Sequence, residues 1–354
     1  MTSTWHNVCV YYADNQDDLV LDCIRPLFGG LGQRPRFFVR HWLRGPHVRL
    51  RVLETTDCFD RAVMPVITDQ VGGWLATHPS MACLDESELL AVHEWLARRE
   101  RELGPLSPFY PDNSIQRLPC DRRIDVLGSE AAASLLEDFY VDTNELVFAM
   151  LEHIRGGANR LSLALDLMWA TAHGPRSSIT RGYVSYRSHT EAKIMTAEDP
   201  EALRSFFAEH YRTRAPALIE RLGQVLATLD GHGGDVPFVR DWAQAMNRLR
   251  RRAWPLLDSG DLTLPTSSPG VWFNDEVTAH SAFHQALAAN PAFLEMMRTS
   301  QGFHLYRVVI NCLYLHLTRL GITPFERSLL GYLAAETVEE RFGVSAIDHV
   351  LAVR

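Results

Sequence analysis

The segment Gln301–Gly321 constrains the fold of this chain more than any other. Its sequence, QGFHLYRVVINCLYLHLTRLG, repeats apolar residues at the 3.6-residue period of an α-helix. Apolar side chains also cover most of the remaining circumference, which is typical of a buried helix. The exception is a polar stripe made of Arg307, Asn311, Tyr314 and Thr318. Polar groups in such a place need partners or a cavity, so the stripe is either a core network or the wall of a binding site.

Composition and charge narrow the class of protein. The 354 residues are 46% hydrophobic and 22% charged, which is typical of a globular protein with a sizeable core. A formal net charge of −8 argues against a general nucleic-acid binder. The sequence contains neither a signal-peptide pattern nor an apolar run of membrane-spanning length, so we expect a cytoplasmic protein that does not enter the membrane.

The sequence gives no sign of a metal or cofactor site. Six cysteines are scattered without a C-x-x-C pair or a spacing to histidine that suits zinc, and no disulfide framework is indicated. A glycine-rich turn near residue 30 follows a predicted helix and precedes a predicted strand, which is the reverse of the order in a dinucleotide-binding motif. We therefore expect reduced thiols and no cofactor.

Strands are predicted early in the chain. Trp5–Tyr12 is β-branched and aromatic, and Arg36–Leu43 and His47–Leu53 form a predicted hairpin around a Gly-Pro turn. In the second hairpin strand, valine and leucine alternate with a histidine and two arginines, so one face belongs to the core. The other face carries His47, Arg49 and Arg51. It is either a basic face paired with acidic neighbours or a site for carboxylate and amide oxygens.

Helices are predicted over most of the remaining chain. The pattern favours one compact α+β domain spanning residues 1–354, with a mixed or antiparallel sheet and many helices. Two long loops, Gly104–Asp121 and Asp258–Gly270, interrupt the helices. The predicted helices are Asn15–Leu27, Asp57–Ala76, Glu86–Leu103, Glu130–Ile154, Arg160–Ala172, Pro200–Leu229, Val236–Leu257 and Pro324–Arg341.

A further strand is predicted over Ile179–Ile194, where tyrosine and polar residues alternate. An extended chain places Arg187, His189 and Glu191 on one face, because side chains of a strand repeat every second residue. This face is a candidate site, although a single histidine is more often structural.

Two other clusters contain candidate binding residues. Trp272 and Phe273 follow the second long loop and are suited to stacking on a planar, aromatic ligand, and Ser281 lies shortly after them. Asn274 is a possible helix cap. A basic cluster lies near the end of the predicted helix Val236–Leu257 and is either a solvated face or a site for an acidic peptide. Its members are Arg248, Arg250, Arg251 and Arg252.

Two segments together resemble a known family. RFFVRHWLRGPHVRLRV and LYLHLTRLGITPFERSLLGYLAAETV are similar to the C-terminal elimination domain of lantibiotic dehydratases, a thiopeptide-type bacteriocin biosynthesis domain. The family patterns are close to F-x-R-Y-x-x-x-G-P-H-L-R-L-R-F and H-M-x-x-N-R-L-G, and the resemblance covers nearly the whole chain in order. It implies the fold of that domain.

The chain departs from the family pattern at two places. Aligned on Arg319-Leu320-Gly321, Tyr314 occupies the position of the histidine associated with β-elimination, and Thr318 that of an asparagine. The segment SYRSHTEAKI replaces the usual Y-x-P-E-x-E-R-Y-G-G. In both respects the chain resembles the stand-alone pyridine synthases of thiopeptide biosynthesis.

That resemblance implies a formal aza-[4+2] cycloaddition between two dehydroalanines of a thiazole-bearing peptide, with loss of water and of the leader peptide. It assigns proton transfer to Tyr314, His189, Ser281 and, as a further partner, Glu191. The residues expected to bind the modified core are Trp272, Phe273, Asn311, Arg187, Arg49 and Arg51, and those expected to bind the leader are Arg248, Arg250, Arg251 and Arg252. Holding diene and dienophile together supplies roughly 7 to 11 kcal/mol in well-oriented systems.

Two other functions fit the same residues. A split elimination enzyme would remove glutamate from glutamylated serine or threonine, using His316 with Arg49 and Arg51. A non-catalytic protein would hold the leader peptide for another enzyme. The expected partner in each case is a leader-bearing precursor peptide rather than nucleic acid.

Overall fold

The structure is a computed structural model that describes residues 2–174, 178–262 and 275–354. Within these ranges, helices predominate and all strands belong to one antiparallel sheet, as the α+β prediction requires. No helix among them is long and apolar enough to cross a membrane.

The sheet contains four strands in the order β2-β3-β1-β4, namely β1 (Thr4–Tyr11), β2 (Arg36–His41), β3 (His47–Glu54) and β4 (Ser114–Leu118). The predicted strand and hairpin are confirmed. The loop predicted over 104–121 is wrong in part, because β4 lies within it. This edge strand has the sequence SIQRL, which shows only a weak strand pattern. It is extended because it pairs with β1, for example through Ile115 and Val10.

The hairpin between β2 and β3 pairs His41 with His47 and turns through Arg44 and Gly45, both of which have positive φ. The apolar face of β3 is buried as predicted. However, His47 is fully buried and Arg51 is 8% exposed, so the basic face is covered as well. The alternation along β3 therefore gives the correct faces but not their exposure.

The helices of the first half include two that contain a π-helical turn. One runs through Gln16–Asp18, Leu19–Ile24 and Arg25–Gly30, and Asn15 caps its start. The other runs through Thr56–Cys58 and Phe59–Val63 into α1. The longer helices here are α1 (Met64–Thr77), α2 (Glu86–Glu100), α3 (Glu130–Asp142), α4 (Asn144–Arg155) and α5 (Arg160–Ala172), with a short helix at Ile124–Leu127.

All the regular elements among the described residues of the second half are helices. Its longer helices are α6 (Val184–Met195), α7 (Pro200–Arg212), α8 (Ala215–Asp230), α9 (Val239–Asp258), α10 (Pro291–Thr299), α11 (Gln301–Arg319) and α12 (Pro324–Phe342). Short helices lie at Ile179–Gly182, Asp275–His280, Ala282–Ala288 and Ala346–Leu351. The single helix predicted over Pro200–Leu229 is divided, because Pro216 begins a new helix.

The strand predicted over Ile179–Ile194 is wrong, since this segment forms the helix Ile179–Gly182 and then α6. Its buried residues recur three and four positions apart, at Tyr183, Tyr186, Thr190 and Ile194, so the helical period determines the structure. The alternation of tyrosine with polar residues is incidental. On a helix, Arg187 and Glu191 share a face whereas His189 points elsewhere.

Contacts divide the chain into two compact units. Unit 1 comprises residues 1–126, 136–156 and 318–321 and contains the sheet; unit 2 comprises residues 127–135, 157–317 and 322–354. Each unit is therefore built from several chain segments. The single domain predicted over 1–354 stays a prediction.

Unit 2 has a core in which helices approach closely. Trp242 of α9 donates a 2.8 Å hydrogen bond from Nε1 to Thr171 Oγ1 of α5. On α11, Val309, Leu313 and Leu317 are fully buried, so the predicted apolar face is confirmed where it meets this core. One face of α11 is thereby fixed, and its polar stripe is directed away from the core.

Candidate active site

The polar stripe of α11 lies at an accessible surface. Arg307, Tyr314 and Thr318 are half-buried, and Asn311 is exposed. A core network would bury all four residues, so this arrangement favours the wall of a binding site.

Tyr314 and His189 form a direct pair. The Tyr314 hydroxyl of α11 lies 2.8 Å from Nδ1 of His189 on α6. Desolvation, with a smaller contribution from Arg327, lowers the pKa of His189 to about 4, so the ring is neutral near pH 7. A neutral Nδ1 without a proton accepts from the phenol, whose own pKa is raised by burial.

The exposure of His189 indicates the shape of its surroundings. The side chain is exposed to solvent, yet desolvation is the main cause of its low pKa. Protein atoms therefore crowd the ring, while part of it stays accessible to solvent and to a ligand.

Ser281 is brought near this pair through another histidine. It is 1% exposed and caps the helix Ala282–Ala288. Its Oγ lies 2.8 Å from Nδ1 of His284, and Nε2 of His284 lies 3.3 Å from Oγ of Ser188, the residue before His189. Ser281 therefore fixes the orientation of His284. The sequence provided no signal for this role of His284.

Arg327 on α12 is a second group that the sequence analysis missed. Its Cζ lies 5.0 Å from the centroid of the Tyr314 ring, which is a cation–π distance. A sequence pattern does not reveal it, because an arginine one turn into a capped helix is ordinary. Only the packing of α12 places it on the tyrosine.

The sequence of this chain matches a known protein family. A sequence model described as "Lantibiotic biosynthesis dehydratase C-term" matches residues 5–338. The chain belongs to this family.

Two solved structures have the same fold as this chain. One, entitled "Pyridine synthase, TbtD, from thiomuracin biosynthesis", is 36% identical, with a TM-score of 0.79 over 96% of this chain and 99% of that chain. The other, entitled "Crystal structure of TsrL", is 23% identical, with a TM-score of 0.72 over 100% of this chain and 99% of that chain. No curated protein sequence matches the chain.

His316 is the residue on which the alternative of a split elimination enzyme depends. His316 is fully buried, and its ring lies 4.6 Å from that of Trp242. The alternative that assigned elimination to His316 requires an accessible ring. The geometry therefore does not favour a split elimination enzyme.

Two of the predicted site residues form partly buried ion pairs instead. Glu191 accepts from both Nη atoms of Arg204, at 2.9 and 2.7 Å. Arg187 binds Glu336 at 3.0 Å and also Glu339. These pairs join α6 to α7 and α12. The predicted face of Arg187, His189 and Glu191 does not form, and only His189 pairs with Tyr314.

The basic cluster of α9 separates into two parts. Arg248, Arg251 and Arg252 lie three and four residues apart and share a face, on which Arg251 and Arg252 are exposed. Arg250 points elsewhere and donates to the carbonyl of Thr171, at 3.4 Å. Only the first part is placed to meet a partner in solution.

Arg49 and Arg51 lie on β3 in unit 1. Arg49 donates to Nε2 of His47, at 3.0 Å, while Arg51 contacts the thiol of Cys120 and donates to the carbonyl of Asp121. Neither forms an ion pair with a carboxylate among residues 2–174, 178–262 and 275–354. Burial lowers the pKa of Arg49.

Trp272, Phe273 and Asn274 lie outside the described residues. All six cysteines are free thiols. Within the part of the chain that the structure describes, no group of three or more histidine, cysteine or acidic residues is placed to hold a metal ion.

Proposed function

We propose that this chain is a pyridine synthase of thiopeptide biosynthesis. It joins two dehydroalanines of a thiazole-bearing precursor peptide by a formal aza-[4+2] cycloaddition and releases water and the leader peptide. The observation that carries the proposal is the 36% identity, over 96% of the chain, to a structure entitled as a pyridine synthase. The reduced state of all six cysteines suits the cytoplasm, where we place the reaction.

The first chemical requirement is tautomerisation of one dehydroalanine amide. A proton leaves the amide nitrogen and another reaches the carbonyl oxygen, which gives an iminol and hence a 2-azadiene. Tyr314 is suited to this transfer because its hydroxyl both donates and accepts, and Nδ1 of His189 is 2.8 Å away to take its proton.

The later steps need an acid and an ordered substrate. Loss of water requires a proton on the departing oxygen, and the leader leaves as a carboxamide after its C–N bond breaks. Tyr314 and His189 supply and recover one proton in each step. Asn311 is exposed one helical turn from Tyr314 and offers both a donor and an acceptor to the peptide backbone.

Other residues support this function at a distance from the chemistry. Ser281 and His284 fix the helix that carries them beside α6, and we assign them positioning roles. Arg187 and Glu191 hold α6 through their ion pairs. Trp272 and Phe273 remain our candidates for stacking on thiazole rings, and Arg49 and Arg51 for binding oxygens of the core peptide.

The leader peptide is assigned to the exposed basic face of α9. Arg251 and Arg252 are exposed there, and Arg248 shares their face. An acidic leader segment would complement this surface. Arg250 makes a smaller contribution, because its guanidinium is directed to Thr171.

Mass spectrometry tests the proposal. Purified protein is mixed with a leader-bearing peptide that contains two dehydroalanines and thiazoles, and the products are compared with a reaction lacking protein. A macrocycle together with leader carboxamide supports the synthase. Glutamate lost from a glutamylated peptide would support elimination, and an unchanged peptide that co-elutes with the protein would support a binding role.

A further inference from the structure

Arg327 contacts the Tyr314 ring through its guanidinium. Within residues 2–174, 178–262 and 275–354, its guanidinium forms no ion pair and no hydrogen bond with a side chain. It is half-buried and stacks on the ring of Tyr314. A guanidinium carries five N–H donors, so stacking through its face leaves its edge able to donate. Such donors beside a reactive phenol are suited to an oxygen of the ligand.

The acidic residues nearest in sequence are bound elsewhere. Glu326, the preceding residue, accepts from the backbone N–H of Thr323 in a capping box. Glu336 and Glu339, further along α12, bind Arg187. Glu340 accepts from the hydroxyl of Tyr211. The carboxylates of α12 therefore bind other residues or cap the helix.

Positive charge predominates around the Tyr314–His189 pair. Arg327 and Arg307 both act on His189. Burial lowers the pKa of His284, so this ring is neutral near pH 7. The titratable and charged groups that face the pair are Arg327 of α12, Arg307 and Tyr306 of α11, Tyr186 of α6 and His284 of the helix Ala282–Ala288. A site of this sign stabilises negative charge on a ligand oxygen.

We propose that Arg327 is a further catalytic residue, which donates hydrogen bonds to the amide oxygen of the dehydroalanine while that amide becomes the iminol. The inference rests on the proposed function. In this step Tyr314 accepts the proton of the amide N–H while its own proton passes to Nδ1 of His189, and the pair then returns one proton to the amide oxygen, so atoms and charge are conserved. Arg327 contributes no proton, because an arginine does not deprotonate in this range. It stabilises the oxygen while that atom carries negative charge.

The contacts of Tyr314 suit proton transfer by the phenol and charge stabilisation by Arg327. The Tyr314 ring is held between the guanidinium on its face and Nδ1 of His189 at its hydroxyl. In the proposed complex, the substrate amide lies between the two groups, with its N–H at the phenol oxygen and its carbonyl oxygen at the guanidinium edge. One group removes the proton while the other stabilises the resulting charge.

Single-turnover kinetics test the proposal with three variants. R327Q removes the charge, R327K keeps it, and R341Q removes an exposed arginine from the same helix as a matched control. We expect R327Q to slow macrocycle formation about 100-fold, as for loss of one oxyanion donor. Leader affinity should be unchanged, R327K should recover part of the rate, and R341Q should match the wild type.

Three results would overturn the role of Arg327. These are a wild-type rate for R327Q, an equal loss in R341Q, or an R327K variant as slow as R327Q. If the wild type itself forms no macrocycle, the proposed function fails instead, and the two failures are distinguished by that control.

NMR titration of His189 gives a measurement without substrate. The ring signals of His189 are assigned by comparison with H189N, and the pKa is then measured in wild type and R327Q. Because a nearby positive charge disfavours a protonated imidazole, removing Arg327 should raise the pKa of His189, whereas R341Q should leave it unchanged. An unchanged pKa in R327Q would contradict the proximity of Arg327 to the reacting pair.

Discussion

Tyr314 is the residue on which the proposed chemistry depends. Its phenol lies on a largely apolar helix, its hydroxyl is 2.8 Å from Nδ1 of His189, and its ring stacks on Arg327. Its partner His189 was identified as a candidate although its segment was predicted to be a strand. The role of Arg327 could not be read in this way, since it depends on how two helices pack. Residue identity thus predicts the chemistry but not all of the geometry.

Replacing Tyr314 with phenylalanine tests the central proton transfer. The variant loses only the hydroxyl that lies 2.8 Å from His189, so we expect turnover to fall by about 10²-fold or more, as for other general acid–base groups. Leader affinity, measured by fluorescence anisotropy, should not change. Full activity in Tyr314→Phe would exclude the phenol from proton transfer.

The pH dependence of the reaction reports on His189. Its pKa is lowered to about 4, so the neutral ring that accepts the tyrosine proton persists well below the ordinary value of 6.5. We expect the acid limb of single-turnover rate to lie near pH 4. A limb near pH 6.5 would contradict this assignment. Circular dichroism over the same range separates loss of activity from acid unfolding.

The same shift affects stability in a defined direction. Between about pH 6.5 and pH 4, the unfolded chain binds more protons at His189 than the folded chain does. The contribution of this residue to folding is therefore lost as the pH falls through that window.

At the scale of elements, the helices of the second half were largely predictable and one segment was not. The pattern of α11 and α12 is unambiguous, whereas residues 179–194 satisfy a two-residue and a helical period together. Packing against α5 and α12 selects the helix over the strand, and a local sequence pattern carries no information about such distant contacts. The strand β4 was missed for a related reason, since its partner β1 lies about a hundred residues earlier.

A glycine substitution tests the packing of this segment. A Cβ on Gly182 would lie 2.2 Å from the carbonyl oxygen of Ala172, so Gly182→Ala forces two backbones apart. We expect a loss of about 2 kcal/mol or more in the free energy of unfolding. Gly223→Ala on α8 is the control, because no atom lies within 4 Å of its added Cβ.

Urea denaturation of the two variants measures the difference. Gly223→Ala should be neutral or more stable than wild type by up to about 1 kcal/mol, since alanine favours a helix. Equal stability of the two variants would contradict the close approach at Gly182.

At the scale of the whole molecule, the sequence predicted the family and an α+β fold with a mixed or antiparallel sheet. Both are confirmed, and the sheet is antiparallel. It did not predict that contacts divide the chain into two units of interleaved segments. Hydrophobic periodicity reports which face of an element is buried but not which distant element covers it. The site residues of unit 2 meet only because α6, α11 and α12 pack together.

Because the net charge of the chain is negative, binding of an acidic leader peptide depends on the basic face of α9. A chain with formal charge −8 repels an acidic peptide overall, so a local basic face has to supply the attraction. We expect the double variant Arg251→Gln/Arg252→Gln to weaken leader binding and to reduce its salt dependence, because both side chains are exposed on α9.

Arg212→Gln is a control for the loss of a surface charge, since this residue pairs locally with Glu209. Isothermal titration at two salt concentrations measures both effects. Unaltered affinity in the double variant would show that the basic face of α9 is an ordinary solvated surface and does not bind the leader.

The placement of the reacting groups on helices has a consequence for how genes of this kind diverge. His189, Tyr314 and Arg327 each occupy a helix interior, where one inserted codon rotates every following side chain by about 100°. A substitution there changes one group, but an insertion or deletion removes a whole face from the site. Length variation among functional relatives should therefore be confined to the connections between these helices, and a library that samples loop lengths should retain activity far more often than one that samples helix lengths.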